Sequence, residues 1–497
     1  MDFNQYVPPG VYVDAGSTPT LSLVGVAPSV ICLIGEGVGY HTFTETVAFG
    51  SGVTSRTLTK KGIDVSSIVV TGYVTDPAVA GQSIPYTFAP STTSPSAVKD
   101  YTTSVAGSAG NSVTTLVKES GSKMEVAYPT MTVTYRYTDA DYYGVHEFTD
   151  FVSFQSAYGP PQDPVTGAIL SPLSYAAQIA TANGVNRLFA IALSGTGTKQ
   201  AQFAEAYTLL SNSNTTVDLV VPLWNGITDG AVIAGMITTL NAALVADASN
   251  AVMRMAVLGL DQDYAGTTSS VSTLATNGAS NRIVLSWPNK FNSYNGYVNS
   301  TMTVDGFYLA TALAAQLATR TPQEPLTKKY PLGFSGMPTA VQAALRRTDK
   351  DTLAASGVTV IETDRQGRVQ VRHGLTTNYA GGVLNREISI VRARDSLYSL
   401  IHDSLDTAAL TGMPLTDSTP LQVKSIVAGA LERAKNNTLI VDYRDLAVRQ
   451  QIAPSGDPTV IEVKFSYKPT YPLNYILVSF SVDTISGEVT TITPIAA

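Results

Sequence analysis

The stretch Ser171-Pro172-Leu173-Ser174-Tyr175-Ala176-Ala177-Gln178-Ile179-Ala180-Thr181-Ala182-Asn183-Gly184, followed by Arg187-Leu188-Phe189-Ala190-Ile191-Ala192-Leu193, carries a helix and then a strand. Ser171 suits a helix N-cap, and Pro172 suits the first helical position, where its missing N–H leaves no bond unmade. Asn183-Gly184 closes that helix, and the apolar run Arg187–Leu193 reads as a strand. The alternation continues with a helix over Lys199–Leu210, a strand over Val217–Leu223 and a helix over Asp229–Ala246. In that last helix Ile233, Ile237, Leu240 and Leu244 share one face. Strands Arg254–Leu258 and Arg282–Trp287 and a helix over Val304–Thr319 complete the series. Strands alternating with helices of this length predict an α/β layer around a largely parallel sheet.

Upstream, Val24–Ile34 reads as a buried strand interrupted by Pro28. Between it and Gly159-Pro160-Pro161 the composition shifts to Thr, Ser, Val, Tyr and Gly with no helical period. Ser67–Tyr73, Tyr101–Val105 and Met131–Tyr137 are strand candidates, and together they predict an inserted antiparallel sandwich. Downstream the pattern is mixed. Helices are expected over Asp395–Leu410 and from Pro420, capped by Ser418 or Thr419, to about Asn436; strands are expected over Thr459–Tyr467 and Tyr475–Val482. The expected domains are an arm at 1–20, a central α/β domain at 21–36 and 159–355, a β-rich insertion at 37–158, an α+β domain at 356–484 and a second arm at 485–497.

Of 497 residues, 31 are Lys or Arg and 38 Asp or Glu, so the charged fraction is 14% and the net charge −7. An average soluble chain is about 25% charged, and a disordered one would hold more charge and fewer branched aliphatics than the 44% hydrophobic content here allows. The acidic balance speaks against a nucleic-acid partner. No apolar stretch is expected to span a bilayer, and Met1–Gly10 lacks the basic and apolar regions of a secretory leader. The single cysteine, Cys32, sits in an apolar run and reads as a small buried side chain. Sixteen of the 31 cations lie beyond residue 330.

Motifs for chemistry fall short one by one. Gly35-Glu36-Gly37-Val38-Gly39 lacks the third glycine of a dinucleotide fingerprint, since Tyr40 stands there, and no helix is expected to follow. Gly195-Thr196-Gly197-Thr198-Lys199 lacks the glycine that precedes a P-loop lysine. Asp139-Ala140-Asp141-Tyr142-Tyr143-Gly144 with Asp150 imitates a calcium loop, but Tyr143 fills a ligand position. Gly333-Phe334-Ser335-Gly336 is one residue short of a nucleophile elbow. His41, His146, His373 and His402 lie in separate segments without metal-ligand spacing. No catalytic residue, cofactor or metal is therefore expected.

Both ends are instead extended and β-competent. Val11, Tyr12 and Val13 sit among Pro8, Pro9, Gly10 and Gly16, and Val489, Thr491 and Ile492 lie in a Thr-rich tail. Such strands can add to the sheet edge of another chain.

The order Pro9-Gly10-Val11-Tyr12-Val13, Val26–Gly35, Tyr158-Gly159-Pro160, Gly357–Ile361, Arg372-His373-Gly374-Leu375-Thr376, Glu387–Arg394 and Phe465–Ile476 resembles the tail sheath proteins of contractile-tailed bacteriophages. The resemblance covers 1–36 and 159–497; Glu387–Arg394 takes the place of the family's arginine-bearing strand, with Ala393 separating Arg392 and Arg394. It implies a structural, non-enzymatic subunit that polymerises around a tail tube. Its arms would join neighbouring copies, the insertion would face outward, and the C-terminal domain would form the inner layer. Contraction would drive the tube through the host envelope for genome ejection. Implied partners are other copies, the tail tube protein, and baseplate and tail terminator proteins, without nucleic acid or membrane insertion. The implied location is the virion tail, with assembly in the host cytoplasm. Lys424 and Lys435, eleven residues apart and so about 20° apart in helical projection, are the expected tube contact. Alternatives are an adhesin whose segment 37–158 binds glycan, another tail or baseplate subunit, or a nucleotide-binding enzyme using Gly35–Gly39.

Overall fold

A computed structural model of the chain describes residues 29–38, 41–50, 52–90, 100–107, 112–120, 122–125, 130–138, 140–195, 197–213, 215–408, 412–451 and 456–474. Its centre is an eight-stranded sheet in the order Val369–Val371, Val358–Thr363, Ile283–Trp287, Met255–Leu258, Leu219–Pro222, Ile31–Gly35, Leu188–Ala192, His146–Phe148. The inner six strands are parallel and the two edge strands antiparallel. Strands covered on both faces must be apolar throughout. In Ile31–Gly35, Ile31 and Leu33 face a core built with the helices Pro172–Ala182 and Gly306–Thr319. Cys32 and Ile34 face the opposite core, made with Lys199–Asn212, Gly230–Ser249 and Thr268–Asn277. Burial pushes the Cys32 thiol up to about 12, so it is an unreactive core group.

The cap chemistry works as the sequence suggests. Ser171 Oγ accepts the Ser174 N–H with Pro172 opening the helix, and Asp229 accepts the N–H groups of Ala231 and Val232. Gly230–Ser249 is, by length and composition, apolar enough to cross a membrane, contrary to the expectation that no stretch would be. Its Ile233, Met236, Ile237, Leu240 and Leu244 are buried on the sheet.

The insertion consists of a four-stranded sheet, ordered His41–Ala48, Thr130–Tyr137, Ile63–Thr75, Ser83–Phe88, and a three-stranded one, ordered Ser55–Lys61, Val113–Lys118, Tyr101–Ala106. All their pairings are antiparallel, and Val70, Phe88, Tyr101, Leu116 and Val133 form their shared core. His146–Phe148 and the helix Phe151–Tyr158, inside the expected insertion 37–158, pack instead on the central layer through Phe154 and Tyr158. Val358–Thr363 and Val369–Val371, within the span first read as C-terminal domain, extend the central sheet.

The C-terminal part pairs the helices Ile388–Thr407 and Thr419–Asn436 through Leu397, Leu400, Ile401, Val427 and Leu431, and adds a hairpin of Ile440–Gln450 with Ile461–Pro469. The segment Glu387–Arg394, read as a strand, is the start of the first helix. Its alternating Ile388-Ser389-Ile390-Val391 favours a strand locally. Helical spacing, however, places Ile388 and Val391 in the central core and Ala393 and Leu397 against the second helix, and that packing decides.

Candidate functional site

The C-terminal hairpin is a two-stranded sheet. Two-stranded sheets are marginal alone, and among the described residues neither of its strands has a second partner. One face carries Tyr443, Leu446, Val448, Ile461, Val463, Phe465 and Tyr467, partly buried against the helices. The other carries the exposed Arg449 and Lys464, both paired to Glu462. Each outer edge thus presents backbone N–H and C=O groups with no partner among the described residues, the chemistry a further strand satisfies. The arm residues Val11, Tyr12, Val13, Val489, Thr491 and Ile492, and the expected strand Tyr475–Val482, lie outside the described residues.

Lys424 and Lys435 are both exposed on Thr419–Asn436. They differ in freedom. Lys435 Nζ lies 2.9 Å from Asp442 Oδ1 on the hairpin, and this hydrogen bond holds the ammonium above its usual range.

Buried charges gather at the amino ends of the central strands and join them to the first C-terminal helix and to Gly230–Ser249. Arg282 donates to both oxygens of Asp395 at 2.5 and 3.2 Å. Arg254 donates to Asp247 at 2.7 Å, with both side chains almost fully buried. Arg392 is 5% exposed and donates to Ser29 Oγ at 3.2 Å; desolvation brings it down to about 10. Sequence reasoning missed the roles of Arg254 and Arg282, although a signal was present. Each is a lone cation immediately before an apolar strand.

The near-miss motifs resolve into structural roles. Asp150 caps Phe151–Tyr158, accepting the Ser153 N–H at 2.8 Å. His146 meets the Asp141 carbonyl, while His373 lies 3.0 Å from Glu387. Among the described residues no group of three His, Cys, Asp or Glu could hold a metal ion.

No family model matches the chain. The tail sheath protein of Mycobacterium phage Bxz1 is 32% identical to it over 366 residues, 72% of this chain and 59% of that relative. The chain belongs to the tail sheath family. The tail sheath protein of Bacillus phage SP01 is 26% identical over 215 residues, 43% of this sheath-family chain and 35% of the relative. The match therefore spans about three fifths of the first relative's length and a third of the second's. A chain in the baseplate of the anti-feeding prophage, solved by cryo-EM, shares the fold at a TM-score of 0.50 and 12% identity, covering 97% of this sheath-family chain and all of that one.

Proposed function

We propose that this chain is the repeating structural subunit of a contractile tail sheath. It polymerises around the tail tube and contracts to drive the tube through the host envelope for genome ejection, without catalysing a reaction. The observation that carries this reading is the C-terminal hairpin, whose two edges have no partner among the described residues, in a chain similar to tail sheath proteins. Arms 1–20 and 485–497 of neighbouring copies add to those edges, and roughly five backbone bonds per arm at about 0.5–1.5 kcal/mol each hold the lattice while subunits shift. The two sheets of the insertion, within 41–137, face outward, and the C-terminal helices and hairpin, within 388–469, face the tube. The partners are further copies, the tail tube protein, and baseplate and tail terminator proteins, with no nucleic acid and no insertion into a membrane. Assembly takes place in the host cytoplasm and the product resides in the virion tail.

Deletion of residues 1–20 tests this. The truncated chain should stay folded by circular dichroism yet form no tubes under negative-stain microscopy, where the full chain forms ringed or helical tubes. Discrete particles from the full chain, or normal tubes from the truncated one, would contradict the reading.

A further inference from the structure

The strand order of the central sheet reverses at Ile31–Gly35. Leu188–Ala192 follows on one side, and the remaining strands run outward from Leu219–Pro222 on the other. In open α/β sheets such a reversal opens a crevice at the carboxyl ends of the strands, the usual place for a ligand. Here it holds a cavity of about 820 Å³, roofed by Gly62–Asp64, Ser112 and Thr138 of the insertion. That volume lies within the ordinary range for small-molecule sites.

The lining selects for charge. It includes the carboxylates Glu36, Asp64 and Asp305 and no Lys, Arg or His. Glu36 is paired with Lys199, and Asp64 with Arg136. Asp305 has no ion-pair partner among the described residues; it is 8% exposed and receives the Gln262 N–H at 2.8 Å. Burial and the neighbouring Asp261 and Asp263 raise its carboxyl to about 6, an imbalance that a bound cation would relieve. One helical turn on, Tyr308 is 1% exposed, and its hydroxyl donates to no described residue although the side chain lines the cavity. Tyr142 and Tyr143 add aromatic surface, and Ile169, Leu170 and Met302 add apolar surface. Carboxylates with aromatic walls suit ammonium groups. Because no three His, Cys, Asp or Glu side chains among the described residues are grouped so as to hold a metal ion, the arrangement favours an extended organic cation.

We propose that this crevice binds an alkylammonium ligand of the polyamine class, with one ammonium on Asp305 and Tyr308, the methylenes along the apolar wall, and a second ammonium toward Glu36 or Asp64. The inference does not rest on the sheath reading, and only the assembled-tube arm of its test makes use of it. Isothermal titration of the unassembled full chain with spermidine at 0.15 M salt tests it, beside Asp305→Asn and Tyr308→Phe. The expected result is one saturable site, weakened at least tenfold by Asp305→Asn and about threefold by Tyr308→Phe, and not displaced by magnesium at equal total charge. Repeating the titration on assembled tubes separates two sources of the same chemistry. Retained binding assigns the site to free polyamine, whereas its loss assigns it to a lysine of an adjacent copy. Absence of binding to the unassembled chain, equal displacement by magnesium, or unchanged affinity in a folded Asp305→Asn or Tyr308→Phe variant would overturn the proposal.

Discussion

Asp305 shows what a buried carboxylate does to stability. Its carboxyl ionises near the ordinary value of 3.8 in the unfolded chain but only at about 6 in the fold. Between those values the folded state binds more protons, so its contribution to stability falls as pH rises through this window and stays low above it. Asp305→Asn should remove that slope and leave the protein more stable than the parent at pH 7, on the order of 1–3 kcal/mol. Urea midpoints at pH 4.5 and 7.5 check this; parallel profiles for variant and parent would refute it. Gly259 illustrates a second limit at this scale. A Cβ there would lie 2.1 Å from the Gly306 carbonyl oxygen and 2.2 Å from its carbon, backbone atoms that cannot rotate away. Gly259→Ala should cost about 3 kcal/mol or more, seen as lost soluble yield or a large fall in Tm. Neither constraint was legible in the sequence, because both arise from atoms brought together over long separations.

Among elements, the helix caps were the most readable features, since Ser171 and Asp229 act on residues two or three positions away. The strand Ile440–Gln450 was not readable. Its ladder shifts register twice and Asp445 adopts a positive φ of 60°, so the apolar side does not hold a period of two. The helix Thr268–Asn277 was hidden because only Val271, Leu274 and Ala275 of its residues are buried apolar groups in a Ser- and Thr-rich run. Beside the apolar contacts of Ile388 and Val391, the ion pair of Arg282 with Asp395 ties Ile388–Thr407 to the central sheet. Arg282→Ala leaves that carboxylate with Arg394 at 3.7 Å as its nearest remaining cation. Breaking such a pair costs about 3–5 kcal/mol, and hydrogen exchange over 388–407 should accelerate more than in the central strands. By contrast, Gly429 lies inside the helix Thr419–Asn436 with open space where a Cβ would go. Gly429→Ala should stabilise the fold by about 0.5–1 kcal/mol, measurable as a higher denaturation midpoint.

For the whole molecule, the low charge of the sequence accords with the proposed assembly, since charge is depleted at interface cores. The parallel layer and the β-rich insertion were legible because each repeats one simple pattern many times. The buried Arg282–Asp395 pair was not, because its members lie 113 residues apart. The two lysines proposed to touch the tube are not equivalent, since Lys435 already serves Asp442. Lys424→Glu should therefore weaken co-sedimentation of subunits with tubes at low salt more than Lys435→Glu does, and 0.5 M salt should erase the difference, roughly as screening predicts. Equal effects of the two variants would argue against a tube-facing role for that helix surface.

The insertion has a further consequence. Its first and last strands lie side by side in one ladder, with His41 opposite Tyr137, so the chain departs from the core and returns to it at points about 5 Å apart. A module tethered in this way behaves like a plug in a socket. Another small domain with adjacent termini could replace it without stretching the host sheet, which makes this position a natural port for mounting a foreign module.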